Sequence, residues 1–449
     1  MVRGIGGNAA IFASVLLALG CASGGKALAA DLGSSCCADL EERVAELEAT
    51  TARKGNRVVS LQISGTVHES LLIWDDGEQS DAYIVGNTSS QSLIDITGEG
   101  RISPEVKAGF FIELGAFSEA SFLVDQTSDE ALNPDFSDKI FIRHNALYID
   151  HAKLGRIWLG QTSGATDSIT EINLAKSVIV RSAGAQIFNG FFKPRREDGT
   201  LADHRFFQLW GGDTTQGPGE GHRYDLVKYE SPALAGFKLS ASWGENDFFD
   251  VALRYSGLVF QRVKLAAGIG FGSFTDVANN GCRTDASGEA DCHQLGMSFG
   301  AMDVPTGLFV HVAYGVKNDD VIDGTTQLGI DNVDGTDSLF YVQAGIEKNW
   351  FGYGATTLFA EYERFDSGFR ITQAPLGLTP GAFFTGAETR IWGVGINQNF
   401  ESAALDLYVS YRHIDSEADS GTFAAAVSDV VREDYQGFDE VYAGARIKF

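Results

Sequence analysis

The side chains able to do chemistry here are eight histidines, five cysteines and 60 acidic residues. A zinc hydrolase needs two histidines one helical turn apart with a glutamate between them, yet His68-Glu69 has no second histidine four residues on. Gly268, Gly270 and Gly272 have the spacing of a phosphate-binding turn, but they sit inside an alternating apolar segment with no helix behind it. They read as glycines of a strand wall. An outer-membrane hydrolase assembled from distant Ser, His and Asp residues is a rarer alternative. Cys282 and Cys292 bracket the polar stretch CRTDASGEADC, and in an oxidising compartment they are expected to form a disulfide. Asp319, Asp320, Asp323, Asp331, Asp334 and Asp337 offer hard oxygen ligands without the spacing of a calcium loop, and are expected to be a solvated acidic loop. No metal and no cofactor is expected.

Whatever positions these groups must be an exported chain. Arg3, the apolar run Ala9–Leu19 and the small-residue site Ala27-Leu28-Ala29 read as a signal peptide over residues 1–30. Ala18, where a lipoprotein signal favours Leu, argues against lipidation of Cys21. Removing residues 1–30 takes away Arg3 and Lys26 and no acid, leaving 32 basic and 60 acidic side chains, a formal charge of −28. A basic face for nucleic acid is therefore excluded, whereas cations and the divalent-bridged lipopolysaccharide zone of an outer membrane suit the balance. Residues 31–56 hold Leu40, Val44 and Leu47 at coiled-coil spacing, with Cys36 and Cys37 just before, and read as a short periplasmic helix. No run of 18 apolar residues exists to make a membrane helix.

From residue 57 to 449 the period is two. Val59, Leu61, Ile63, Val67, Leu71 and Ile73 alternate with Ser60, Gln62, Ser64, Thr66, His68 and Ser70, and fifteen further segments repeat the pattern up to 438–449. Short connections alternate with long ones, at 75–91, 118–138, 163–222, 274–293, 318–337, 366–387 and 414–437; the short link 246–247 is the exception. Sorting by length puts all long loops at one end, which is the pattern of an all-β, sixteen-stranded antiparallel transmembrane barrel.

The last nine residues, VYAGARIKF, put Val441, Ala443, Ala445, Ile447 and Phe449 on one face and end flush on an aromatic. That ending, the lead CADLEERVAELEATTARKGNR running into VSLQISG, and the stretch IRHNALYIDHAKLGRIWLGQ together resemble the alphaproteobacterial porin family. The resemblance implies a homotrimer passing small hydrophilic solutes and ions, with Phe449 as the insertion signal. It also implies that the loop 163–222 narrows the lumen. Parity then places Arg101, Glu113, Arg143, Arg156, Arg254, Arg412 and Arg446 on the pore wall, with Asp167 and Glu171 at the constriction. The family tends to carry a base where this chain has Gln161, so the two acids are expected to favour cations. A channel specific for one solute class, such as an oligosaccharide, is the main rival. A peptidoglycan tether through residues 36–55, with an incidental pore, is a third reading.

Overall fold

The structure is a computed structural model describing residues 58–116, 118–128, 140–184, 189–211, 217–244, 247–275, 282–283, 290–372, 381–423 and 429–449. The expected signal peptide and the helix carrying Cys36 and Cys37 lie outside these residues. The described strands are β1 (Ser60–Asp75), β2 (Ser80–Gly86), β3 (Ser92–Arg101), β4 (Val106–Ala116), β5 (Ile140–His151), β6 (Gly155–Ser163), β7 (Arg223–Glu230), β8 (Phe237–Gly244), β9 (Phe249–Val259), β10 (Val263–Phe274), β11 (Cys292–Asp303), β12 (Leu308–Asp319), β13 (Thr336–Lys348), β14 (Thr356–Ser367), β15 (Arg370–Thr372), β16 (Gly381–Phe400), β17 (Leu405–Phe423), β18 (Val431–Asp434) and β19 (Phe438–Lys448).

These strands make sixteen staves, because β2 with β3, β14 with β15, and β18 with β19 are interrupted single staves. Each named strand pairing is antiparallel, and β1 closes the sheet on β19 from Thr66↔Lys448 to Asp75↔Asp439. Closure leaves no row of unpaired backbone groups, which is what allows a sheet to stand in lipid. The alternation decides which wall is which. On β1, Ile63, Val67 and Leu71 point out and are exposed, while His68, Leu72 and Trp74 point in and are buried. Exposed Tyr229, Phe237, Phe260, Phe351, Tyr353 and Phe449 gather at the short-turn rim, where amphipathic rings suit a membrane boundary.

Three stretches expected as long loops are largely strand. Residues 75–91 hold a tight turn at 76–79 followed by β2, and the stretches 366–387 and 414–437 are taken up mostly by β14 to β18. At about 3.3 Å per residue, the 20 residues of β16 span about 65 Å, far beyond an apolar band about 25 Å tall. The upper halves therefore stand in water on both faces, and their alternation of apolar and polar residues fades. Exposed charges take its place, as where Arg364 bridges Asp366 at 2.7 Å and Glu388 at 3.1 Å.

Candidate functional site

The described residues between β6 and β7 fold into the barrel and lie along the inward faces of β10 to β19 and β1. Glycine makes the close approach possible. A Cβ on Gly296 would stand 2.1 Å from the Gly219 carbonyl oxygen and 2.6 Å from Ile169, and one on Gly315 would stand 1.9 Å from the Pro218 oxygen. Gly268 and Gly270 make room for Ile169, Ile172 and Thr166 in the same way. The glycine run that mimics a phosphate-binding turn is thus part of a seat for this loop. So is Gly296-Met297-Ser298-Phe299-Gly300, which does have the spacing of a nucleophile elbow. It lies within regular strand β11, and the Ser298 hydroxyl donates to the Ile169 carbonyl at 2.5 Å. An elbow needs a strained strand-to-helix turn.

Further along, the loop is bonded to the wall residue by residue. His311 meets the Thr170 carbonyl at 3.1 Å, Ser177 donates to Gln343 at 2.6 Å, and Lys176 reaches Asn399 at 2.6 Å. Arg181 pairs with Glu440 at 2.7 Å, and the Gly184 amide donates to Glu363 at 2.7 Å. The far half adds ion pairs, such as Arg195 with Asp76 at 2.6 Å, and aromatic contacts. Phe192 packs on Trp74 and Phe438, and Trp210, after the helical turn Phe206–Leu209, stacks on Phe365. One side of the lumen thus holds a continuous cluster of buried apolar side chains from loop and wall.

This filling relocates one expected pore residue. Arg412 points inward as parity requires, but it is 1 % exposed and bonded to Glu361 at 2.6 Å beneath the loop. It does not face the open passage, because loop and wall enclose it.

The wall beside the root of the loop carries Glu113, Arg143, His144 and Arg223, with Glu113 and His144 buried. The Arg143 Nε donates to Glu113 at 2.5 Å, and Arg223 donates to His144 at 3.2 Å. Facing them is the root of the loop, where Asp167 accepts from Ser163 at 2.5 Å and stands 3.9 Å from Arg223. Burial works to raise the Asp167 carboxyl, but Arg223 and Ser163 outweigh it and hold the group below the ordinary carboxylate range. Burial and the Asp167 charge push Glu171 up, to about 7. Gln161 lies on the outward parity of β6, beside Asn145. The base opposite the loop is Arg223 instead. It opens β7 after a long loop, so its register could not be read from the pattern.

The remaining expected positions are dispersed. Arg101 is exposed at the short-turn end of β3. Arg156 pairs with Asp150 at 3.1 Å and lies over Tyr148, while Arg446 bridges Asp406 at 3.1 Å and Ser90 at 2.9 Å. Arg254 donates to the carbonyls of Ala165 and Asp167 at 2.6 and 2.7 Å, which braces the loop root. Cys282 and Cys292 are joined in a disulfide, with Cα atoms 6.0 Å apart. The acidic loop is not simply solvated. Asp319 and Asp337 are fully buried, and Asp337 takes Lys317 at 3.2 Å and Arg283 and Arg370 each at 3.1 Å.

A family model described as Gram-negative porin matches residues 13–419. Among solved structures, an anion-selective porin from Comamonas acidovorans is similar at TM-score 0.54 and 13% identity, over 87% of this chain and 100% of that one. OmpT, an outer membrane protein of Vibrio cholerae, in its trimer form gives 0.50 and 13%, over 87% and 100%. The Salmonella typhi OmpF complex with daunomycin gives 0.50 and 13%, over 87% and 98%. Comparison with curated proteins returned no match.

Proposed function

Since the chain belongs to the Gram-negative porin family and is an outer-membrane channel for passive diffusion, we propose that its selectivity is set where the inner loop faces Glu113, Arg143 and Arg223. Family and fold point to a channel rather than an enzyme. The observation that carries the proposal is the seating of residues 164–184 and 189–211 against half of the inner wall, which leaves the remaining passage between that loop and β3–β7. Small hydrophilic solutes and ions are the cargo, sorted by width and by charge. A homotrimer is the assembly we favour, in line with the trimer form of the similar Vibrio protein. The lead into β1 supports an alphaproteobacterial origin, residues 1–30 a signal peptide, and residues 31–56 a periplasmic helix able to touch peptidoglycan. The acidic surface suits divalent-bridged lipopolysaccharide.

We expect a weak cation preference. The long-range field is negative, but the two arginines at the passage offset Glu113 and Asp167, so the balance turns on Glu171. With its carboxyl raised to about 7, Glu171 is charged above that pH and neutral below it. Reversal potentials across a potassium chloride gradient should therefore show more cation preference at pH 8 than at pH 6. Glu171→Gln should abolish the difference. Anion preference at pH 8, or a pH dependence surviving in the variant, would defeat the assignment.

Phe449 is proposed as both the insertion signal and the last stitch of closure. Its amide and carbonyl exchange hydrogen bonds with Gly65 at 3.1 and 3.0 Å, and its ring occupies the space a side chain at 65 would need. Deleting Phe449 is expected to lower the folded yield in the outer membrane severalfold while export proceeds. Fractionation and semi-native electrophoresis measure both, and an undiminished yield would exclude the role.

A further inference from the structure

Beneath the root of the loop lies a polar recess of about 280 Å³, lined by Asp167, Lys228, Glu230, Lys238, Ser240 and Arg254 among others. Lys228 is 6 % exposed, with its ammonium 3.4 Å from one Glu230 oxygen and 5.8 Å from the Trp158 ring centre. Lys238 lies 3.1 Å from the other oxygen of the same carboxylate. Two ammonium groups thus share one carboxylate. Arg254 brings no further acid, because its hydrogen bonds end on neutral oxygens, those of Ala165, Asp167 and Ser240. Asp167, the second acid of the lining, is engaged by Ser163 and stands 3.9 Å from Arg223, a base outside the lining with which its charge is shared. A partly enclosed cavity with this surplus of positive charge is costly to leave unneutralised.

Glu230 shows what fits. One carboxylate oxygen faces each lysine, so a second planar carboxylate approaching from the recess can divide its oxygens between the same two groups, with the Ser240 hydroxyl at hand. We propose that this recess is a stopping place for small carboxylate-bearing solutes passing the loop. It stands apart from the Arg143 and Arg223 pair, and it rests on the channel reading above.

The test uses purified full-length protein in planar bilayers, with acetate as the probe. Conductance against rising potassium acetate should saturate, as flux through a binding site does, and should saturate less readily in chloride. Lys228→Met should raise the half-saturating acetate concentration about tenfold, the worth of one lost charge-assisted hydrogen bond. Lys238→Met, at a more exposed position, serves if the first variant does not fold, and the same direction is expected. Conductance that rises in proportion to acetate, or saturation unchanged in the folded variants, would overturn the proposal. Equal saturation by inorganic phosphate would overturn the carboxylate assignment. Failure to conduct at all in potassium chloride would instead count against the channel reading, so the two failures are distinct.

Discussion

Gly296→Val is expected to unseat the inner loop and raise single-channel conductance roughly twofold, as the passage widens toward the full lumen. Backbone meets the new Cβ first, since the Gly219 oxygen would lie 2.1 Å away, with the Ile169 side chain at 2.6 Å. The Gly219 oxygen cannot yield without moving the chain. The Ser298 and His311 bonds to the Ile169 and Thr170 carbonyls would part with it. The barrel itself should survive, because its closure is backbone pairing that this inward position does not interrupt. Gly386→Ala is the control: a Cβ there meets only the Ser367 oxygen, at 3.8 Å, and conductance should not change. Planar-bilayer recording with a series of neutral polymers of rising size gives both conductance and exclusion limit. Wild-type values for both in Gly296→Val would mean that the loop does not define the width.

Gly268 and Gly270, legible as strand wall but not as a seat for the loop, show what a single sequence carries. Alternation declares which side chains face in, because period two is a property of each strand alone. Barrel class, stave number and the inward parity of His68, Arg412 and Arg446 were legible on that ground. What an inward residue meets is a different matter, since the loop arrives from another part of the chain. Gly296 and Arg412 both point inward, yet one is a seat and the other is sealed. The same limit hid Arg223 and Lys228, and Asp337 beneath three cations, where nearby sequence showed only an acidic run. The tall hairpins escaped for another reason. Above the membrane both strand faces meet water, so the polar face no longer contrasts with an apolar one.

The second large effect concerns that sealed charge. Arg412→Met should destabilise the folded barrel by about 3–5 kcal/mol, the usual cost of stranding a buried charge. Arg412 holds Glu361 at 2.6 Å, and Glu363 lies 3.8 Å from its guanidinium. Glu440 lies in the same enclosure, with Arg181 at 2.7 Å. Without Arg412, three carboxylates are left with Arg181 as their nearest described cation, and the neutral donors Tyr341 and Gln343, 2.8 and 3.5 Å from Glu361, bring no charge to compensate. The loop should loosen too, since Glu363 anchors the Gly184 amide. Unfolding of the detergent-solubilised protein in urea, followed by electrophoretic mobility, should shift to markedly lower denaturant. Barrels can unfold irreversibly, so the unfolding rate is the safer readout. If stranded charge rather than lost packing is the cause, Arg412→Met with Glu361→Leu should recover much of the deficit, because an apolar pair of similar volume needs no counter-charge. A double variant as unstable as the single one would assign the loss to packing, and a single variant within about 1 kcal/mol of wild type, the scale of an exposed ion pair, would mean that water reaches this pair and the loop does not seal it.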